Sequence, residues 1–176
     1  PEYDPARHRL VLINPNASEM LPQRRWPAER FIELIRRILE AAPDVLTLIT
    51  GAPAEQAEAE AQCAAVGSLR CVNFAGAVRL AELPLLYSIS TLMVTNDSGP
   101  GHFSAITPLP VFVLFGPETP RLYGSLGNAT SIFAGLACSP CVSAANHRKT
   151  PCTDNKCLQA ISVEQVFAAI EPLLRR

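Results

Sequence analysis

Short apolar runs alternate along the chain with longer segments in which apolar residues recur at helical spacing. The runs 45–50 and 110–115 are almost continuously apolar, which is typical of strands buried on both faces of a sheet. Positions 31, 34, 35, 38 and 39 place their apolar side chains on one helical face. Strands that alternate with helices predict a doubly wound parallel sheet of the Rossmann-like α/β class.

The predicted elements follow from this pattern and from local capping signals. The strands are expected at 9–13, 45–50, 70–74, 91–95, 110–115 and 131–133. Helices are expected after Pro27, over 54–66 and over 80–89, the last with Pro84 in its first turn. Ser162 and Gln165 form a capping box that begins a closing helix.

The polar turn after the fourth strand, residues 96–102, carries the clearest chemical signal. Its glycines suit a tight turn, and 103–106 can open a helix, so that free backbone N–H groups would face an anion. Asp97, Ser98 and His102 can bind hydroxyl groups or phosphate oxygens. The turn therefore predicts a site for a phosphorylated, hydroxyl-rich ligand.

Three further polar segments also follow predicted strands, at 14–25, 51–55 and 116–119. A doubly wound sheet binds its ligand in the crevice at the carboxyl ends of its strands, so all four segments are expected to meet there. The first strand is not followed by a G-x-G-x-x-G sequence. Its absence argues against a nicotinamide or flavin oxidoreductase, and no cofactor is expected.

Composition narrows the class of protein. The 176 residues are 48% hydrophobic and 18% charged with a net charge of −1, which suits one globular domain over 10–176. This near-neutral charge argues against a nucleic-acid partner. The apolar runs are too short to span a bilayer, and no signal-peptide pattern is found. Residues 1–9 are interpreted as an interdomain linker or an artificial boundary of the sequence.

Four of the six cysteines fall in one segment, 138–157. Cys138, Cys141, Cys152 and Cys157, with His147 between them, could hold a structural zinc ion, close as two disulfides or remain thiols. The uneven spacing of the second pair weakens the zinc hypothesis, and no metal ligand is assigned. Cys63 and Cys71 flank the third strand and are expected to be buried thiols.

Taken in order, several motifs resemble glycosyltransferase family 9, the heptosyltransferases of lipopolysaccharide core synthesis. They are Asn14-Pro15, Arg25-Trp26-Pro27, Gly51-x-x-x-Glu55, Asn96-Asp97-Ser98-Gly99-x-x-His102, Phe115-Gly116-Pro117-x-Thr119-Pro120 and Cys138-Ser139-Pro140-Cys141. The resemblance covers only the C-terminal, donor-binding half of a GT-B enzyme. It implies that an acceptor-binding N-terminal half supplies the catalytic base, so no catalytic residue is assigned in this chain.

The resemblance also implies roles for single residues. Arg24 or Arg25 would reach the donor diphosphate, Glu55 would bind the ribose hydroxyls, and Val78 would pack on the base. Asp97 would contact the sugar, and Ser98, Gly99 and His102 would line the diphosphate. The Pro100-Gly101 pair departs from the family pattern.

Each of these residues also has a purely structural interpretation. Asp97-Ser98 could be a helix N-cap, and Glu55 could serve only the helix dipole. The two arginines could be solvated, and His102 could line the site without contacting a ligand. Trp26 is expected to be a packing anchor. A hydrolase based on Ser98 and His102 is disfavoured because the nucleophile-elbow sequence is absent.

The function implied by the resemblance is inverting, metal-independent transfer of heptose from ADP-heptose to a lipopolysaccharide inner-core acceptor. Such an enzyme would be cytoplasmic, at the inner face of the inner membrane, with peripheral membrane association at most. Two alternatives remain at this point: a glycosyltransferase of the same fold that uses another nucleotide sugar, and a non-catalytic nucleotide-sugar-binding or cysteine-loop interaction module.

Overall fold

Six parallel strands form the centre of the structure, a computed structural model that describes residues 3–18, 21–147 and 149–175. The strands are β1 (Arg9–Asn14), β2 (Val45–Ile49), β3 (Cys71–Asn73), β4 (Ser90–Asn96), β5 (Val111–Phe115) and β6 (Ala129–Phe133). Their order across the sheet is β3-β2-β1-β4-β5-β6. This order confirms the predicted doubly wound sheet. From β1, the strands β2 and β3 are added on one side and β4, β5 and β6 on the other, so a crevice forms between β1 and β4 at the carboxyl edge.

Helices of very different lengths cover the sheet. They are α1 (Ala28–Ala41), α2 (Gln56–Val66), α3 (Leu83–Ser88), α4 (Gly99–Phe103), α5 (Pro120–Tyr123), α6 (Lys156–Gln159) and α7 (Val163–Leu174). All five apolar positions of the predicted α1 face are buried. The hydroxyl group of Ser162 accepts the Gln165 N–H at 3.1 Å, as the capping signal predicted, and Pro84 lies in the first turn of α3.

The expected helix start after the fourth strand was wrong. The helix α4 begins at Gly99 rather than at residue 103, and a single 3-10 turn at Ser104–Ile106 follows it. Pro100 favours this early start because a first helical turn needs no N–H donor from it. Gly101 then packs closely on the sheet, where an added Cβ would lie 3.3 Å from the Thr95 methyl group.

The single-turn helices α5 and α6 were not predicted from the sequence. Each has four residues, which is too short for a helical repeat of apolar positions to become visible. The chain therefore gives no periodic signal for them, and only their capping residues could have indicated them.

The sheet is buried on both faces, so that two apolar cores lie on either side of it. One core joins α1 and α7 to the sheet, and it includes Phe31, Ile35, Val166 and Ile170. The other packs Leu86 and Tyr87 of α3 against the opposite face. Covering both faces explains why the strands are apolar at consecutive positions rather than at every second one.

Trp26 connects the first core to the carboxyl edge of the sheet. Its ring meets Phe31 edge-on at a centroid distance of 4.9 Å, and its indole N–H donates to the Ile161 carbonyl at 3.0 Å. Its backbone N–H donates to the Asn96 side-chain oxygen at 3.0 Å. The predicted packing anchor is therefore also a hydrogen-bonding link between the segment before α1 and the end of β4.

Arg9 ties the first strand to the end of the last helix. Its guanidinium group pairs with Asp44 at 2.7 Å and also donates to the Leu173 and Leu174 carbonyls at 3.2 and 2.8 Å. The hydrogen bond with Asp44 raises the pKa of Arg9 above its ordinary value. The amino end of β1 and the carboxyl end of α7 thus meet at the edge of the sheet opposite the crevice.

Within the described ranges, each helix is too short or too polar to cross a bilayer.

We expect Trp26→Ala to lower the free energy of unfolding by about 3–5 kcal/mol, because a large buried side chain and its hydrogen bond are lost together. Urea unfolding monitored by circular dichroism would measure the change. Leu122→Ala serves as the control, since Leu122 is 74% exposed and its removal should change stability by less than about 0.5 kcal/mol. Equal effects of the two substitutions would contradict the anchoring role of Trp26.

Candidate functional site

A cavity of about 660 Å³ opens at the carboxyl edge of the sheet. Its volume falls in the range of small-molecule and nucleotide sites. Segments that follow β1, β2, β3 and β4 contribute to its wall. The sequence predicted that 14–25, 51–55, 96–102 and 116–119 would meet here, and the first three do. The prediction was wrong for 116–119, which does not line the cavity because β5 lies on the far side of β4 from β1 and β2. Five of the eight predicted site residues line it: Arg25, Glu55, Val78, Ser98 and Gly99.

Buried amide side chains join the strand ends at the floor of this cavity. Asn14 is 4% exposed and donates to the Thr50 carbonyl at 3.1 Å, which links the ends of β1 and β2. Asn16 is also buried and lines the cavity. Because both amides are buried and Asn14 is held by the end of β2, the floor of the cavity is polar.

The two adjacent arginines point to different places. Arg25 lines the cavity, and its guanidinium group donates to the Ala17 carbonyl at 3.0 Å. Arg24 is instead packed behind the cavity, where its side chain is only 11% exposed. The structure thus separates two residues that the sequence could not distinguish.

Arg24 lies between two buried carboxylates. Its Nη1 atom lies 3.9 Å from Oδ2 of Asp97, and its Nε atom lies 3.3 Å from Oε2 of Glu118. Nη1 also donates to the Asp97 backbone carbonyl at 3.3 Å. Since the two carboxylates are almost inaccessible to water, their charges depend on a neighbouring cation, and Arg24 is positioned to supply one.

His102 completes this cluster on its outer side. Its Nε2 atom lies 3.6 Å from Oδ1 of Asp97, and its Nδ1 atom lies 3.4 Å from the Ser125 hydroxyl oxygen. The imidazole is 49% exposed, so a ligand can reach it directly. Arg24, Asp97, Glu118 and His102 therefore form a second group beside the cavity rather than on its wall.

Glu118 is the member of this group that sequence reasoning missed. It occupies the unspecified position of the Phe115–Pro120 motif, and it is 2% exposed. Acidic residues are almost never fully buried unless they are paired. An acidic residue three positions after the end of a fully apolar strand was the available signal, but its partner Arg24 is distant in the sequence.

The turn between β4 and α4 connects the cavity wall to the second group, because Ser98 lines the cavity and Asp97 belongs to the second group. Ser98 is the N-cap residue of α4, yet its side chain makes no capping hydrogen bond. Its hydroxyl oxygen instead lies 3.2 Å from that of Thr95. The capping alternative for Ser98 thus applies to its backbone position only.

Glu55 combines a structural contact with a place on the cavity wall. Its carboxylate accepts the Ala52 N–H at 2.6 Å and so caps the turn that precedes α2. An added Cβ on Gly51 would lie 2.6 Å from the same carboxylate, so the glycine makes room for it. Glu55 therefore has a structural role in capping this turn, and its side chain also lines the cavity.

One side of the cavity is apolar. Phe74, Val78, Leu83 and Tyr87 line it, and Leu80 lies at its rim. Tyr87 is 2% exposed, and burial raises its pKa to about 12. Its hydroxyl group is therefore neutral over the physiological range of pH, and the wall presents rings and aliphatic groups suited to a planar apolar surface.

The cysteine-bearing segment packs beside the arginine loop. The Asn155 side chain donates to the Arg25 carbonyl at 2.9 Å, and Gln23 donates to the Cys152 carbonyl at 3.2 Å. The N–H groups of Cys141 and Val142 both donate to the Pro117 carbonyl at 2.9 Å. These hydrogen bonds fix a long segment with little regular structure against the loop that carries the arginines and against the turn after β5.

All six cysteines are free thiols in the structure. Cys157 is buried, and desolvation raises its pKa above the ordinary value. In the part of the chain that the structure describes, no three His, Cys, Asp or Glu side chains are arranged to hold a metal ion.

We expect Arg24→Met to lower the free energy of unfolding by about 3 kcal/mol or more, because it removes a cation from between two buried carboxylates. Arg25→Met is the matched control at the adjacent position, and it should cost about 1 kcal/mol, the value of a hydrogen bond to one carbonyl. Denaturant unfolding of both variants gives the comparison. A larger loss for Arg25→Met would contradict the separation of the two side chains.

Comparison with known proteins places the chain in a group of bacterial glycosyltransferases. Residues 2–151 match the family described as glycosyltransferase family 9 (heptosyltransferase). The chain is 26% identical over 170 residues to lipooligosaccharide heptosyltransferase 2 of Campylobacter jejuni, covering 95% of this chain and 51% of that protein.

Solved structures agree with this assignment. A family 9 glycosyltransferase from Veillonella parvula superposes with a TM-score of 0.78 at 25% identity, covering 98% of this chain and 47% of that one. The Escherichia coli ADP-heptose lipopolysaccharide heptosyltransferase II superposes with a TM-score of 0.76 at 23% identity, covering 96% and 47%. The chain spans about half the length of these proteins. The chain belongs to glycosyltransferase family 9, the heptosyltransferase family.

Proposed function

We propose that this chain is the donor-binding half of an inverting, metal-independent glycosyltransferase. The donor is ADP-heptose, and the acceptor is a sugar of the lipopolysaccharide inner core. An additional N-terminal domain supplies the acceptor site and the catalytic base. The enzyme acts in the cytoplasm at the inner face of the inner membrane, with peripheral membrane association at most.

The observation that carries the proposal is the arrangement of the cavity. It places an apolar wall, an acidic side chain, a cationic side chain and a glycine-bearing turn around one volume. A nucleotide sugar carries the matching groups in the same spatial order: a flat base, ribose hydroxyls, a diphosphate and a hydroxyl-rich ring. Val78 and its apolar neighbours would pack on the base, and Glu55 would accept the ribose hydroxyls.

The diphosphate would lie between Arg25 and the turn at Ser98 and Gly99. Glycosyl transfer requires stabilisation of the negative charge that develops on the departing diphosphate. A guanidinium group can supply this through charge-assisted hydrogen bonds, each contributing about 1.5–3 kcal/mol. The chain contains no Asp-x-Asp sequence of the kind that would hold a metal-bound diphosphate, which supports transfer without a metal.

The sugar would lie beside the second group of residues. Asp97 can accept hydroxyl hydrogens, and Arg24 holds the carboxylate in place from behind. His102 reaches the same carboxylate from the exposed side and can donate to a phosphate oxygen. In this arrangement Arg24 is a positioning residue, whereas Arg25, Asp97 and His102 contact the donor.

Arg25→Met should weaken the binding of ADP to this chain by more than tenfold, because the diphosphate loses its cationic partner. Isothermal titration at fixed salt concentration would measure the dissociation constant. Arg121→Met is a suitable control, since Arg121 is an exposed arginine outside the cavity and should leave binding unchanged. Binding of ADP to the Arg25 variant with unchanged affinity would contradict the assignment.

The same titration with ADP-heptose, ADP and UDP tests the proposal itself. We expect ADP-heptose to bind, and ADP to bind more tightly than UDP. Preference for UDP would instead support a glycosyltransferase of the same fold with another nucleotide sugar. If none of the three ligands binds, the assignment of the donor site to this chain is contradicted.

Asp97→Asn should weaken the binding of ADP-heptose more than that of ADP, because the carboxylate faces the sugar and not the nucleotide. The ratio of the two dissociation constants isolates this effect from any general loss of structure. Ser125→Ala provides a comparison, since it removes only the hydroxyl group near His102. Equal losses for both ligands in the Asp97 variant would rule out the sugar contact.

A further inference from the structure

Cys63 and Cys71 form a close pair that the proposed function does not use. Their Sγ atoms lie 3.6 Å apart, and no disulfide joins them. Cys63 lies near the end of α2 and is half-buried, whereas Cys71 begins β3 and is buried. The expectation of two buried thiols is therefore wrong for Cys63, which solvent can reach.

The two thiols differ in their chemical environment. Hydrogen bonding between the Cys63 and Cys71 thiols lowers the pKa of Cys71, and the Thr47 side chain acts in the same direction, although burial opposes this effect. The same contact with Cys71, together with burial, raises the pKa of Cys63. Thr47 is the direct neighbour of Cys71 across the β2–β3 ladder. The pair thus favours a thiolate on the buried sulfur and a protonated thiol beside it.

We propose that Cys63 and Cys71 form a peroxide-sensitive modification site, in which Cys71 is the thiol that is oxidised first and Cys63 is the thiol that resolves it. The oxidant is hydrogen peroxide or another small hydroperoxide, which is small enough to approach a buried sulfur. A low-pKa cysteine beside a second cysteine, in a pair that solvent can reach, is the usual arrangement for reversible oxidation of this kind, and Cys63 gives this pair its accessible side.

The chemistry proceeds in two balanced steps. The Cys71 thiolate attacks one peroxide oxygen, the O–O bond breaks, and the departing hydroxide takes a proton to become water. The Cys63 sulfur then loses its proton and attacks the Cys71 sulfenic acid, whose S–O bond breaks to release a second water. The two thiols lose two electrons in total, and the peroxide is reduced to two molecules of water.

The position of the pair gives the modification a structural effect. Glu55 and Glu58 at the start of α2 line the cavity, and so does Phe74 directly after β3. A bond between Cys63 and Cys71 would join the helix to the strand, and with them two walls of the cavity. The proposal itself stands independently of which ligand the cavity binds.

Peptide mapping provides a direct test because Arg70 separates the two cysteines. Trypsin cleavage yields peptides 38–70 and 71–79, each of which contains a single cysteine. The folded chain is treated with a small excess of hydrogen peroxide, alkylated, digested and analysed by mass spectrometry. We expect a disulfide between these two peptides that disappears on reduction with dithiothreitol. Absence of this product, at a peroxide dose that already oxidises the exposed Cys138, would overturn the proposal.

Single variants test the order of the two steps. In Cys63→Ser the sulfenic acid on Cys71 cannot be resolved, so a dimedone adduct should accumulate on peptide 71–79. In Cys71→Ser we expect no adduct on Cys63, and an adduct there would overturn the assigned roles. Cys138→Ser is the matched control and should leave the 63–71 link unchanged. Thermal melting confirms that each variant is folded, and Cys71→Ala replaces Cys71→Ser if the buried hydroxyl group is not tolerated.

Discussion

The side chain of Asn96 holds the candidate site together. It lies at the carboxyl end of β4, is completely buried, donates to the Pro15 carbonyl at 2.6 Å and accepts the Trp26 N–H at 3.0 Å. One amide therefore fixes both ends of the loop that carries the two arginines. A buried backbone group that loses such a partner costs about 1–3 kcal/mol, so the loop is firmly held to the sheet.

This link explains why one loop can serve two neighbouring groups of residues. With its ends fixed, the loop directs Arg25 into the cavity and Arg24 behind it, towards Asp97 and Glu118. The cysteine-bearing segment then supports the same loop from outside through Asn155. The position of the arginines thus depends on three elements that are far apart in the sequence, namely β4, the Phe115–Pro120 motif and the segment before α7.

The sequence was sufficient for the features that depend on local pattern. The apolar face of α1, the buried strands and the polar turn after β4 were all predicted because their spacing is visible over a few residues. The separation of Arg24 from Arg25 was not predictable, since consecutive loop residues have no fixed direction. Glu118 was missed because the burial of a charge depends on its partner in space. The start of α4 was misplaced because the effect of Pro100 competes with that of two glycines.

Arg9 has a practical consequence for work with this chain. Its hydrogen bonds to Asp44, Leu173 and Leu174 bring the amino end of β1 and the carboxyl end of α7 together, on the side of the sheet away from the cavity. An affinity tag or a surface linker joined to the amino end of β1 or to the carboxyl end of α7 would thus project from the side of the sheet away from the cavity. The protein can be immobilised in one orientation, with the mouth of the cavity facing the solution.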